Sequence, residues 1–192
     1  MERAEEQRLL RQAQRGDAEA FAHLYRHNVQ AIFRYIAHRV SDNALAEDLT
    51  ADVFIKALEA LPNYRDRGKP FIAWLYRIAH ARVIDHYRRT SRRPAESDVE
   101  DEPLADVPNM DAAMLRRQAA YALRTAITDL TDDQQQVVIL RFIEGYRIEA
   151  VAQMMGKQPN AIKALQFRAL RTLASRLERA GLDIESILAG IS

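Results

Sequence analysis

The chain has 192 residues, of which 48% are hydrophobic and 29% charged, and its formal net charge at pH 7 is +1. This composition is typical of a globular chain and leaves room for one large domain or two small ones. The sequence contains no cysteine, which excludes disulfides, cysteine-ligated zinc and thiol catalysis.

The charge is unevenly distributed along the chain. Residues 65–93 contain nine Arg or Lys and two acids, residues 94–111 contain seven acids and no base, and residues 131–181 contain eight bases and five acids. Two basic blocks separated by an acidic one predict two DNA-facing modules joined by a polar tether.

The first half of the chain repeats apolar residues with the period of amphipathic helices. A charged helix opens the chain and ends near Gly16, and Asp17 is placed as the N-cap of a second helix with a buried face over residues 21–40. A short proline-bounded loop covers residues 62–70, and a further helix spans residues 71–89. Between residue 40 and this loop lies a helix whose apolar stripe consists of Leu45, Leu49, Val53, Ala57 and Leu61.

The second half begins with a segment that lacks core-forming residues. Residues 94–111 hold three of the six prolines and seven acids, so their burial cannot offset the entropy of ordering, and they are predicted to be a flexible linker. A helix follows over about residues 112–129. Thr131 and Gln134 have the spacing of a capping box that begins the next helix, which Gly145 ends.

The predicted fold class is therefore all-α, because no strand pattern is evident. Two small helical domains are expected, at residues 1–93 and 112–180, followed by a tail at residues 181–192. No apolar run is long enough to cross a membrane, and the N-terminus lacks the apolar segment of a signal peptide. These features predict a cytoplasmic protein without membrane insertion.

Residues 147–171 have the pattern of a helix-turn-helix motif. Ala152 is small where the two helices touch, Gly156 can adopt the positive φ that ends the first helix, and Ile162 is a plug between them. Pro159 suits the first turn of the second helix. That helix is basic and carries amide side chains, which can pair with base edges and phosphates. An ordinary helical hairpin is the alternative, and the basic second helix favours DNA binding.

Aromatic and basic side chains alternate along the proline-bounded loop and the helix after it. The aromatic residues are Tyr64, Phe71, Trp74, Tyr76 and Tyr87, and the basic residues are Arg65, Arg67, Lys69, Arg77, Arg82, Arg88 and Arg89. Aromatic faces bind unstacked bases and basic groups bind phosphates, so this mixture is typical of a protein that holds single-stranded DNA. The alternative is a helix core, which is favoured for Phe71, Leu75 and Ile78 and stays open for Trp74.

Two further polar groups have a simpler interpretation beside the functional one. Asp48, Asp52 and Glu59 share a helix face that is either solvated or a docking surface for a basic partner. His23 and His27 have a spacing that can chelate a metal, but no third ligand is evident, so no metal or other cofactor is predicted. The sequence lacks the common phosphate-loop and hydrolase motifs, and an enzyme is not predicted.

Taken in chain order, these segments resemble the extracytoplasmic-function (ECF, group IV) sigma factors of bacterial RNA polymerase. The resemblance covers residues 6–178. It rests on the family's opening segment (LLRQAQRGDAEAFAHLYRHN), its second region (AEDLTADVFIKALEALPNYRDRGKPFIAWLYRIAHARVIDHYRR) and its fourth region (LTDDQQQVVILRFIEGYRIEAVAQMMGKQPNAIKALQFRAL). It implies a protein that binds core RNA polymerase, through its β′ clamp and β subunits, and directs promoter recognition, DNA melting and transcription initiation. An anti-sigma factor is also implied as a partner.

The resemblance also implies roles for individual residues. Polymerase docking is implied for Asp48, Ala51, Asp52, Phe54 and Lys56. Capture and melting of the promoter's minus-ten element are implied for Asn63, Tyr64, Arg65, Arg67, Lys69, Trp74, Arg77, Arg82, Arg88 and Arg89. Recognition of the minus-thirty-five element is implied for Gln158, Asn160, Ala161, Lys163, Ala164, Phe167, Arg168 and Arg171.

Two other functions stay open at this point. A stand-alone helix-turn-helix transcriptional regulator would explain the second module but leaves the aromatic-basic loop and the linker without a role. A helical metal hydrolase that uses His23 and His27 is the enzymatic alternative.

Overall fold

The structure is a computed structural model that describes residues 1–40, 42–66, 68–90, 123 and 125–179. Within these residues every regular element is helical, which confirms the predicted fold class. The first module comprises α1 (Arg3–Gln14), α2 (Ala18–Ala37), α3 (Asn43–Ala60), a 3₁₀ turn (Leu61–Asn63) and α4 (Phe71–Thr90). The second comprises a helical turn at residues 125–128, α5 (Asp132–Val138), a π-helical turn (Ile139–Ile143), α6 (Ile148–Met155) and α7 (Pro159–Arg179).

The helix ends follow the local signals in the sequence. The Asp17 carboxylate accepts the backbone N–H groups of Glu19 and Ala20 at 3.0 and 3.1 Å, which confirms its predicted role as the cap of α2. Before α5, the Gln134 side chain accepts the Thr131 N–H at 3.1 Å, as the capping box requires. The predicted linker at residues 94–111 and the predicted tail at residues 181–192 lie outside the described residues.

The two modules share one hydrophobic core. Buried side chains of α1 to α4 pack in the same cluster as Val137, Ile139 and Leu140 of the second module. Polar contacts also join the two modules. Arg34 of α2 binds Glu144 of the second module through two N–O contacts of 2.8 and 3.0 Å. A second, smaller cluster attaches α7 to residues 126–130. No described helix is long and apolar enough to cross a membrane.

Arg39 is the main polar contact between the modules, and it is only 1% exposed. Its guanidinium donates to the Tyr35 hydroxyl and the Asp132 carboxylate, both at 2.8 Å, and to the Gln135 side-chain oxygen at 3.3 Å. It also contacts His80 Nδ1 at 2.7 Å. Since a buried charge is tolerated only when it is paired and hydrogen-bonded, these partners from both modules account for the burial of Arg39.

The pKa of His80 is lowered, mainly by burial of its ring and then by the positive charge of Arg39. Lys157 acts in the same direction, and Asp132 and Asp133 oppose it. The folded chain therefore favours the neutral ring, whereas the pKa of the ring in the unfolded chain is about 6.5. The unfolded chain binds more protons, so the free energy of unfolding decreases as the pH falls from about 6.5 through the lower folded pKa.

We expect wild-type protein to lose more stability than a His80→Asn variant when the pH is lowered from about 7.5 to about 5.5. The Asn side chain offers Arg39 an oxygen acceptor but does not titrate, and the other histidines are common to both proteins. Denaturant unfolding at both pH values measures the difference. Equal losses in the two proteins would show that His80 does not couple the module contact to protons.

Candidate nucleic-acid interface

The helix-turn-helix geometry predicted from the sequence is present in α6 and α7. Gly156 ends α6 with φ +66°, in the left-handed region that a side chain would disfavour. Ala152 is 3% exposed and Ile162 is fully buried, so both lie between the helices as predicted. Pro159 is the first residue of α7, where a missing N–H costs no helical hydrogen bond.

One face of α7 is open to solvent and carries the predicted DNA-reading side chains. Phe167 is 63% exposed, and the Arg171 guanidinium lies 5.8 Å from the centre of its ring. The structure exposes every residue of the predicted set, namely Gln158, Asn160, Ala161, Lys163, Ala164, Phe167, Arg168 and Arg171. Basic and amide groups on the exposed face of a second helix form a surface that can enter a DNA major groove.

A cavity of about 420 Å³ lies between the loop after α3 and the start of α4. Its lining includes six residues of the predicted minus-ten set, namely Asn63, Tyr64, Arg65, Lys69, Trp74 and Arg77. The other described members of that set, Arg82, Arg88 and Arg89, lie further along α4, and Arg67 lies outside the described residues. The fold thus concentrates aromatic and basic groups around one opening.

The aromatic wall of the cavity is a packed trio. The ring centres of Tyr64 and Trp74 are 4.7 Å apart, and those of Phe71 and Trp74 are 5.5 Å apart. Phe71 is fully buried, while Trp74 is half-buried and lines the cavity. Trp74, left open by the sequence, therefore belongs both to the core and to the site. Burial, with a smaller effect of nearby carboxylates, raises the pKa of Tyr64 to about 12, so its hydroxyl keeps its proton at neutral pH.

The helix-turn-helix module contributes one side of this cavity. Gln153 of α6 is among the lining residues, and its backbone carbonyl accepts a hydrogen bond from the Lys69 ammonium at 3.0 Å. Sequence analysis missed this contact. A backbone carbonyl is present in every residue, so its use as an acceptor leaves no signal in the sequence.

Four of the five residues predicted to dock on the polymerase are exposed along α3, and one is buried. Asp48, Ala51, Asp52 and Lys56 are exposed, but Phe54 is 4% exposed and packs edge-on against Tyr25 at 4.7 Å. Phe54 lies about 120° around the helix from Asp48, which turns its ring toward the core. It can support the face from below but does not form its surface.

Two exposed apolar residues on the same face were missed by sequence analysis. Ile55 and Leu58 are 53% and 51% exposed. At 100° per residue, Ile55 lies about 20° around the helix from Asp48, and Leu58 lies about 60° further round at the edge of the face. Their angular position was readable from the sequence, but apolar residues at helical spacing are assigned to a core by default. The α3 face therefore combines carboxylates with apolar surface.

His23 and His27, the two histidines considered for metal binding, contact different groups. His23 lies 3.6 Å from the Glu19 carboxylate, and His27 lies 3.4 Å from the N-terminal amine. Across the residues that the structure covers, no group of three or more His, Cys, Asp or Glu could hold a metal ion.

Comparisons with known proteins assign the chain to a family. Residues 24–93 match the family Sigma-70 region 2, and residues 120–173 match Sigma-70, region 4. The ECF RNA polymerase sigma factor ShbA of Streptomyces griseus is 31% identical over 181 residues, which cover 89% of this chain and 94% of ShbA. The chain belongs to the ECF RNA polymerase sigma factors. The resemblance seen in the sequence is thereby confirmed.

A further relative agrees with this assignment, and a solved structure has a similar fold. The ECF RNA polymerase sigma factor BldN of Streptomyces coelicolor is 38% identical over 170 residues, which cover 88% of this chain but only 64% of BldN. The fold resembles that of CnrH in complex with the cytosolic domain of CnrY, with a TM-score of 0.68 at 23% identity, covering 91% of this sigma factor and 98% of CnrH. Family matches in both modules do not favour the stand-alone regulator.

Proposed function

We propose that this sigma factor binds core RNA polymerase and places it at promoters by contacting two DNA elements. The observation that carries the proposal is the convergence of aromatic and basic side chains around the cavity between α3 and α4. Its volume of about 420 Å³ lies within the usual range for ligand pockets. An unstacked base of the minus-ten element is the ligand that this lining fits.

The cavity can stabilise melted DNA without any covalent step. Extruding a base costs a few kcal/mol, and stacking on an aromatic side chain returns about 1–3 kcal/mol per base. Trp74 and Tyr64 supply the stacking surface, while Arg65, Lys69 and Arg77 supply positive charge for the flanking phosphates. The exposed Arg88 and Arg89 continue the basic surface along α4.

The α3 face is the proposed docking surface for the β′ clamp of core polymerase. Its carboxylates Asp48 and Asp52 suit a basic partner, and Ile55 and Leu58 give it apolar area that can be buried on binding. The proposal also includes contact with the β subunit, an anti-sigma factor as a regulatory partner and a cytoplasmic location, as the family resemblance implies.

The exposed face of α7 is proposed to bind the minus-thirty-five element in the major groove. Asn160 and Lys163 lie in the first turns of the helix, where a recognition helix contacts base edges. Arg168 and Arg171 follow on the same side and can contact phosphates. This face would therefore recognise bases and also bind the phosphate backbone of the DNA.

A reconstituted transcription assay tests the function directly. Purified chain added to core polymerase should produce transcripts with defined starts from genomic fragments, and sequencing these transcripts maps the promoters used. The free chain should show no promoter footprint at nanomolar concentration. A footprint of the free chain combined with no start-site selection by polymerase would instead support the stand-alone regulator.

The docking proposal predicts that Asp52→Arg and Ile55→Ser each weaken binding to core polymerase about tenfold or more, because one reverses a charge and the other removes apolar contact. Titration of labelled chain with core enzyme measures this affinity. Glu5→Arg is the matched control, since Glu5 is an exposed acid on α1, away from this face, and its replacement makes the same charge change as Asp52→Arg. Equal weakening by Glu5→Arg would mean that overall charge, rather than the α3 face, governs binding.

The α7 proposal predicts that Lys163→Ala reduces holoenzyme binding to a minus-thirty-five duplex by about 1–3 kcal/mol, and that Arg168→Ala, which removes a phosphate contact, weakens binding to duplexes of different sequence about equally. Binding of the variants to core polymerase should be unchanged. Arg179→Ala, at the far end of α7, is the control for loss of one positive charge. Parallel loss of DNA binding and core binding would contradict the assignment of these residues to DNA recognition.

A further inference from the structure

The described residues of the loop between α3 and α4 make few backbone–backbone hydrogen bonds with one another. Tyr64 N–H donates to Leu61 O at 3.0 Å, and Ala73 N–H, already in α4, donates to Pro70 O at 3.0 Å. The carbonyls of Tyr64 and Lys69 are bonded by side chains from α1 instead. The Tyr64 carbonyl is partly buried, where an unpaired acceptor is costly, so the first part of the loop depends on the group that α1 offers. The Lys69 carbonyl is exposed, and its bond to Arg3 fixes the position of the second part.

Gln14, the last residue of α1, holds the first part of the loop. Its side-chain Nε2 donates to Tyr64 O at 2.7 Å and to Leu61 O at 3.1 Å. Tyr64 is also the residue whose ring packs 4.7 Å from Trp74. Gln14 therefore fixes the backbone of a residue that forms a wall of the cavity.

Arg3 and Gln7 hold the second part of the loop through Asp66. Arg3 donates to Asp66 Oδ1 and to Lys69 O, both at 2.6 Å, and Gln7 donates to Asp66 Oδ2 at 2.9 Å. Asp66 Oδ1 also accepts the Gly68 N–H at 2.9 Å. Burial alone would raise the pKa of Asp66, but the hydrogen bonds from Gln7 and Gly68 and the charge of Arg3 outweigh it and lower the pKa.

These contacts come from one stripe of α1. At 100° per residue, Arg3, Gln7 and Gln14 fall within about 40° of one another. Next to them Glu6, which is 8% exposed, accepts the Phe71 N–H at the start of α4 at 3.0 Å. The helix thus contacts both ends of the loop, although it precedes residue 24, where the match to Sigma-70 region 2 begins.

We propose that α1 sets the shape of the base-capturing loop, and that Arg3, Gln7 and Gln14 are positioning residues for the captured minus-ten base. The inference rests on the proposed function of the cavity. These side chains act through Tyr64, Asp66 and the Lys69 carbonyl rather than by contact with DNA. Loss of their hydrogen bonds lets the loop adopt other conformations, so fewer molecules present the cavity in its binding form.

Gln14→Glu is the sharpest test, because Glu has almost the same shape but no N–H to donate to the two carbonyls. Holoenzyme carrying Gln14→Glu should bind a minus-ten single strand, taken from a promoter mapped by the transcription assay, roughly tenfold more weakly. It should also discriminate less between bases at the captured position. Affinity for a minus-thirty-five duplex and for core polymerase should not change.

Gln12→Glu is the matched control. It makes the same chemical and charge change on the same helix, about 180° away from the Arg3 stripe, where Gln12 accepts a bond from Arg8 at 3.3 Å. We expect Gln12→Glu to bind the minus-ten strand like wild type. Weakening equal to that of Gln14→Glu would attribute the effect to charge and overturn the proposal.

A second variant and a DNA-independent measurement separate positioning from folding. Arg3→Gln should weaken minus-ten binding, and Arg3→Lys should restore part of it, because Lys keeps the charge for Asp66 but loses the forked geometry. In the free full-length chain, trypsin should cleave after the exposed Arg65 faster in Gln14→Glu and Arg3→Gln than in Gln12→Glu.

The outcomes distinguish this proposal from the function on which it rests. If wild-type holoenzyme does not discriminate between minus-ten bases, the proposed cavity function fails, while the cleavage rates still report whether α1 holds the loop. If wild type discriminates and the α1 variants do so equally well, α1 does not position the base. Parallel loss of minus-ten, minus-thirty-five and core binding, with reduced thermal stability, would show a general folding role and likewise overturn the inference.

Discussion

The burial of Arg39 is the constraint on which the relation of the two modules depends. A guanidinium that is 1% exposed needs partners for its N–H groups, and among the described residues Tyr35 and His80 supply them together with Asp132 and Gln135. Because these groups come from both modules, the charge is satisfied only when the modules meet in this arrangement. The hydrophobic contacts hold the two modules together, and the bonds of the Arg39 guanidinium define how the modules are oriented relative to each other.

The proposed functional surfaces differ in how much of the rest of the chain contacts them. The α3 face and the exposed side of α7 are open to solvent, so both are accessible in the described arrangement. The cavity between α3 and α4 is bordered by Gln153 of the second module, and its loop is held from the opposite direction by α1. The proposed base-binding cavity is therefore supported both by α1 and by the second module.

Local rules explain what the sequence made predictable. The helix caps at Asp17 and Gly156 and the turn before Pro159 depend only on neighbouring residues, and all three were found without structural information. The exposure of Ile55 and the burial of Phe54 were not predicted, since both depend on which helix packs against α3. The bonds from α1 to loop carbonyls were equally hidden, because a glutamine that reaches a distant carbonyl has the same sequence context as one that faces solvent.

In the proposed mode of DNA binding, the bond between Lys69 and the carbonyl of Gln153 links strand capture to the distance between the modules. A phosphate would compete with that carbonyl for the one ammonium group, so an entering strand would remove a contact between the two halves of the chain. Thermodynamic linkage makes the exchange reciprocal. Whatever draws the halves apart increases affinity for the strand by the same factor by which the strand favours their separation.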